Sequence, residues 1–229
     1  MNLFRKLIYG RTAAKLFERT VLNLHSKLYT VASIYSKRNN GGRHPKHDII
    51  NYTKWFCDHI EVGWVVLDIG SHFGSMVQGM ATKADFVYGI EINKHNYSQA
   101  MKENSKKNVK YIHDDAMNFD YSKLPGIDCV TLSNVLEHIS DRIVFLKTLV
   151  NNVKWSDRGL KQFLIRVPAI ERDWISVYKK QKGVKWKLDN SHDTEYTLEQ
   201  FYDEMNKANL RVIDCRLRFG EIYSICAVK

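Results

Sequence analysis

The residues of this 229-residue chain best suited to chemistry are two histidines and a turn of acids and glycines. His138 and His192 carry imidazoles whose ordinary pKa of about 6.5 lets them accept a proton near neutrality. That is the work of a general base toward a hydroxyl, a poor nucleophile when left protonated. The turn is Asp68-x-Gly70-x-x-x-Gly74, which closes the apolar run Val65-Val66-Leu67. A buried strand, a tight turn and a helix N-terminus in that order form the usual seat of a nucleotide-like ligand in an open α/β sheet. Gly70 and Gly74 lack a Cβ, so the backbone there can turn sharply and approach a bound molecule. The dinucleotide pattern G-x-G-x-x-G would need glycines where His72 and Ser75 stand. A side chain at His72 calls for an ordinary, negative φ.

Further acids follow at telling intervals. Phe86-Val87-Tyr88-Gly89-Ile90 ends in Glu91, about twenty residues after Gly70, where a carboxylate is placed to accept both hydroxyls of a ribose. Val109-Lys110-Tyr111-Ile112-His113 leads into Asp114-Asp115-Ala116, and Ile127-Asp128-Cys129-Val130-Thr131-Leu132-Ser133 into Asn134-Val135-Leu136-Glu137-His138. Taken together, these four signals resemble the ordered motifs of class I S-adenosylmethionine (SAM) methyltransferases, over about residues 47–229. The resemblance implies SAM as cofactor and S-adenosylhomocysteine as product. It assigns Asp68, Gly70, Ser71 and Gly74 to the methionine end, Glu91 with Ile92 to the ribose, Asp115 with Ala116 to the adenine, and Ser133 to the same cofactor set. Some related RNA 3′-end methyltransferases bind a metal through Glu-x-x-Glu-His; Asn134 replaces the first carboxylate here, so no metal is expected to be required.

A softer likeness concerns the acceptor. Arg166-Val167-Pro168, Glu171-Arg172-Asp173-Trp174, Ser191-His192-Asp193-Thr194-Glu195-Tyr196-Thr197 and Gly220-Glu221-Ile222 resemble bacterial methyltransferases associated with surface-polysaccharide synthesis. This implies O-methylation of a sugar or glycan precursor. Residues 168–197 form the one long irregular stretch, and loops of that length are usually functional. Its aromatic and hydrogen-bonding groups suit a polar acceptor, and Arg172, Trp174, Glu195 and Tyr196 are the expected substrate-binding residues. An RNA or other small-molecule acceptor on the same fold, or a non-catalytic scaffold, are the rival readings.

The elements that must position these groups read as a doubly wound, Rossmann-like α/β sheet of seven strands. Strands are expected near 64–69, 86–91, 109–113, 127–133, 162–167, 210–217 and 221–228, the last running antiparallel as the resemblance implies. Helices are expected near 74–83, 93–105, 140–153 and 198–207, with a helix before the first strand carrying Ile49 to Ile60 and a short one near 172–180. Thr197 and Gln200 have the form of a capping box. Asn39-Asn40-Gly41-Gly42 marks a boundary between an extension, residues 1–46, and a methyltransferase domain, residues 47–229.

Composition narrows the partners. A content of 44% hydrophobic and 26% charged residues suits a globular protein, and no apolar run reaches the length of a membrane span. No secretory leader is evident. Four scattered cysteines indicate neither a zinc site nor a disulfide framework, so a cytoplasmic setting is expected. Of the net charge of +10, residues 1–46 supply +9 through ten basic side chains and Glu18. A nearly neutral body argues against a nucleic-acid groove. Residues 1–37 read as a helix, broken near Gly10, with an apolar stripe at alternating spacings of four and three. It is expected to pack on the protein's own body, a partner protein or a second copy, to lie on the inner membrane face as a peripheral anchor, or, third, to bind nucleic acid.

Overall fold

Seven strands form one sheet in the order Val109–His113, Phe86–Glu91, Val65–Ile69, Cys129–Ser133, Gln162–Pro168, Glu221–Val228 and Leu210–Arg218. The computed structural model describes residues 11–229; the expected break near Gly10 lies outside them. They divide into two compact units. One runs to Asn51 and includes Ile170–Asp189; the other joins Tyr52–Ala169 to Asn190–Lys229.

The second unit holds the sheet. Strands β1 (Val65–Ile69), β2 (Phe86–Glu91), β3 (Val109–His113), β4 (Cys129–Ser133) and β5 (Gln162–Pro168) are parallel. Strand β7 (Glu221–Val228) runs antiparallel between β5 and β6 (Leu210–Arg218). Alternation along each buried strand feeds two cores, one on each face. Val66, Cys129 and Leu164 join Phe56, Val77 and Met80 on one side. Leu67, Val130 and Ile165 join Phe145, Leu149 and Phe201 on the other. The order reverses between β1 and β4, so their carboxyl ends flank the crevice where open α/β sheets take ligands.

Helices α3 (Tyr52–Asp58), α4 (Ser75–Met80), α5 (Lys94–Glu103), α6 (Arg142–Asn152) and α8 (Leu198–Lys207) cover this sheet. Asn93 starts α5 by accepting the amides of His95 and Asn96. Helix α6 opens at Arg142, within two residues of the expected start, after a separate 3₁₀ turn at Leu136–His138. Thr197 caps α8 through the Gln200 amide at 3.0 Å. The reciprocal half of the capping box is not made: the Gln200 side-chain amide donates to Glu204 at 2.9 Å. That bond to an ionic acceptor one turn on holds the side chain where its Oε1 does not receive the Thr197 amide.

The first unit contains α1 (Arg11–Asn39), the short α2 (Lys46–Ile50) and α7 (Trp174–Gln181). The helix expected to run through Ile49 and Ile60 is interrupted at Asn51, in the left-handed conformation at φ 44°, which asparagine tolerates better than most residues. The short helix in the irregular segment is present, and Asp173 caps it by accepting the Ile175 amide. Among the described residues no helix is long and apolar enough to cross a membrane. All four cysteines are free.

Candidate functional site

The turn after β1 forms as the glycines require. Gly70 and Gly74 have φ of 71° and 80°. A Cβ on Gly70 would sit 2.8 Å from a Val135 methyl, and one on Gly74 would fall on the Tyr111 hydroxyl. The expectation for His72 is corrected: its φ is 50°. Histidine enters this left-handed region more readily than most residues. The conformation aims the His72 amide at Glu91 Oε2, 2.8 Å away, while Glu91 Oε1 accepts the Asn93 amide at 2.8 Å. Glu91 is thus pinned by two backbone donors, and a carboxylate has lone pairs to accept more.

A cleft of about 580 Å³ opens at these strand ends, a size that suits a cofactor. Of the expected cofactor residues, Gly70, Glu91, Ile92, Asp115 and Ala116 line it, as does the expected base His138. Asp115 holds its turn by accepting the Met117 amide and the Asn118 side chain. Asp68, Ser71, Gly74 and Ser133 are not part of the lining. Asp68 lies wholly buried, its Oδ1 accepting the Thr131 hydroxyl at 2.5 Å. Burial pushes its carboxyl up to about 7, Thr131 opposes this, and Glu91 adds to it.

Beside His138, which lines the cleft, the fold joins two distant segments; His192 of the second is not part of the lining. The amides of Asp193 and Thr194 both donate to the Glu137 carbonyl, at 2.7 and 3.4 Å, and the Ser140 hydroxyl donates to Asp193 at 2.5 Å. His138 and His192 meet edge to face with ring centroids 5.0 Å apart. His138 Nδ1 lies 3.2 Å from the Ser191 carbonyl, and His192 Nδ1 lies 3.3 Å from the buried Glu195 carboxylate. Donation from Nδ1 in each case leaves the lone pair on Nε2, the tautomer a proton acceptor needs. Behind them Glu137 is fully buried, and burial raises its carboxyl to about 7, partly offset by its own backbone amide and by His192. Glu137, His138 and His192 bring one donor atom each within 4.8 Å of one another, a set that could hold a cation. With its pKa near neutrality, Glu137 can rest there as the neutral acid.

The expected substrate residues fall apart. Glu195 and Tyr196 are buried in the sheet-bearing unit. Tyr196 donates to Glu204 at 3.0 Å, and Glu204 is paired with Arg142 at 2.9 Å. Arg172 and Trp174 belong to the other unit, where the Arg172 guanidinium donates to the Trp186 carbonyl at 2.6 Å and Trp174 is exposed. Asn96 and Ser140, which sequence reasoning passed over, also line the cleft, as do His72 and Asn134, which it gave no cofactor role. Asn134 has φ 57° and a buried Oδ1 without a hydrogen-bond partner; its place directly after β4 was the available signal.

Comparison with known proteins agrees with this geometry. A curated relative, an rRNA adenine N-6-methyltransferase of Corynebacterium diphtheriae, is 27% identical over 95 residues, 42% of this chain; the match spans only 36% of that relative's length. Among solved structures, magnesium protoporphyrin IX methyltransferase of Synechocystis with bound S-adenosylhomocysteine superposes with a TM-score of 0.58 at 15% identity, covering 80% of this chain and 83% of that one. A chain in the complex containing the Haloferax volcanii Trm112 methyltransferase activator gives 0.61 at 13% identity, covering 85% and 94%. At such identities these structures share the fold. The family described as "Methyltransferase domain" matches residues 33–214, and with the sheet order, the glycine turn and the acid-pinned cleft in place, the chain belongs to that family and carries the SAM-dependent methyltransferase fold.

Proposed function

We propose that this protein transfers the methyl group of SAM to a hydroxyl oxygen of a sugar or glycan precursor. The observation that carries the reading is His138, backed by the ring of His192, in a cleft whose other residues include Glu91, Asp115 and Ala116. In this reading Glu91 accepts the ribose hydroxyls, Asp115 and Ala116 contact the adenine, and Gly70 with Gly74 lets the backbone close on the ligand. Asp68, Ser71 and Ser133 support these groups from behind. The acceptor hydroxyl meets His138 or His192, which takes its proton as the oxygen attacks the methyl carbon and the carbon–sulfur bond breaks. Alignment of nucleophile and methyl supplies much of the rate. The likeness of Glu171–Trp174 and Ser191–Thr197 to polysaccharide-associated enzymes supports the sugar class.

A second reading, an RNA adenine acceptor, is favoured by the C. diphtheriae relative. The sheet-bearing unit holds nineteen Lys and Arg against twenty Asp and Glu, which offers a polyanion little attraction. Methyl-labelled SAM, offered with sugar nucleotides, glycan extracts and RNA, separates the two. Label in a saccharide fraction that resists mild alkali, as an ether does and an ester does not, supports the proposal. Label in RNA adenine overturns it.

A further inference from the structure

Helix α1 is two-sided. On one side Leu22 is buried, Glu18 accepts the Tyr178 hydroxyl and pairs with Lys182 at 3.1 Å, and Lys179 Nζ lies 2.8 Å from both His25 and Ser26. All of these belong to the helix's own unit. The other side is bare. Phe17, Val21, Leu24, Leu28, Val31 and Tyr35 follow one another at spacings of four and three and are 46–59% exposed. At 3.6 residues per turn they fall on one stripe along a 29-residue helix about 43 Å long. Lys27 and Arg38 are exposed and stand along one flank of it.

Charge accompanies the stripe. The unit formed by residues 1–51 and 170–189 contains sixteen Lys and Arg against five Asp and Glu, while the rest of the chain is balanced. The whole net positive charge therefore sits in the unit that carries the uncovered apolar stripe.

We propose that α1 docks this protein in the plane of an anionic membrane surface, its apolar stripe among the acyl chains and its basic side chains at the headgroups. An in-plane helix of this kind combines an aliphatic and aromatic face with lysine and arginine on the polar side. The long stems of Lys27 and Arg38 can run along the stripe and keep their charges at headgroup level. A second copy of the helix would suit the four–three spacing, but it would set one strongly basic unit against another. A nucleic acid would meet the charge and leave the stripe in water. An anionic bilayer meets both.

The test is co-sedimentation of the full chain with vesicles of mixed phosphatidylglycerol and phosphatidylcholine, and with vesicles of phosphatidylcholine alone. Expected is binding to the anionic vesicles at least about tenfold tighter than to the neutral ones, weakened by salt. Leu24→Glu with Leu28→Glu abolishes it, and Lys27→Glu with Arg38→Glu weakens it by about tenfold or more. Both pairs are exposed, so an unchanged unfolding midpoint shows that the variants fold. Absence of binding to anionic vesicles, or equal binding to both kinds, overturns the proposal. So does a dimer that ignores vesicles and dissociates in the Leu24→Glu, Leu28→Glu variant, which would make the occupant a second copy.

Discussion

His138 and His192 stand 54 residues apart in the chain, yet their rings meet with centroids 5.0 Å apart at 74°. Each presents Nδ1 to an oxygen, Ser191 for one and Glu195 for the other. If this pair moves the acceptor's proton, replacing the acting histidine by alanine lowers kcat by about 10²–10⁴-fold. Binding of S-adenosylhomocysteine, measured by calorimetry, stays within about threefold of the parent, since the cofactor residues are untouched. Equal loss of cofactor binding in both variants would assign the histidines to the cofactor site instead.

Glu91 predicts a different split. Its carboxylate holds the His72 and Asn93 amides, and in the proposed complex it accepts two ribose hydroxyls. Glu91→Ala is expected to remove most of the rise in unfolding midpoint that SAM confers. Hydrogen bonds to a charged group are worth about 1.5–3 kcal/mol each, so the cofactor Kd should weaken by about tenfold or more. A ligand-induced shift equal to the parent's would exclude the ribose role.

Buried carboxyls set a pH dependence. Asp68 and Glu137 are both raised to about 7, chiefly by burial, against about 4 in the unfolded chain. Between those values the folded state holds more protons than the unfolded one. Their contribution is therefore fully present below about pH 4 and is lost as pH rises through 7. Chemical denaturation at about pH 5.5 and about pH 8 should show a stability decline that Glu137→Gln flattens by up to about 2 kcal/mol. A slope unchanged by that substitution would show that Glu137 ionises normally.

The Arg142–Glu204 pair is nearly closed to solvent and shares Glu204 with Tyr196 and Gln200. Burial works to raise the Glu204 pKa, but the bonds from Arg142 and Gln200 outweigh it and hold the carboxyl below its usual range. Arg142→Met leaves that carboxylate without its cation and should cost about 3–5 kcal/mol. Replacing both partners, with Glu204→Leu added, should recover much of the loss. Denaturant midpoints with an unchanged slope would measure both effects.

Much of the framework is written locally. The seven strands were legible because burial on a strand has period two and the intervening glycines and polar runs interrupt it. The order of glycine turn, Glu91 and Asp115–Ala116 likewise placed one side of the cleft, since each follows its own strand. Local chemistry misjudged smaller features: His72 takes the left-handed turn because the Glu91 carboxylate receives its amide, and Gln200 leaves its capping box for Glu204.

The family, the sheet and the residues at the strand ends are encoded in the chain itself, by contiguous patterning and turn geometry. Tertiary structure decided the rest. Long-range hydrogen bonds, from Asp193 and Thr194 to Glu137 and from Ser140 to Asp193 among them, bring His192 to His138. Packing likewise buries Tyr196 and Glu195, and leaves the α1 stripe bare while its opposite side is covered by Ile170–Asp189. Those outcomes depend on which surfaces meet, and a one-dimensional pattern of residue types does not record that.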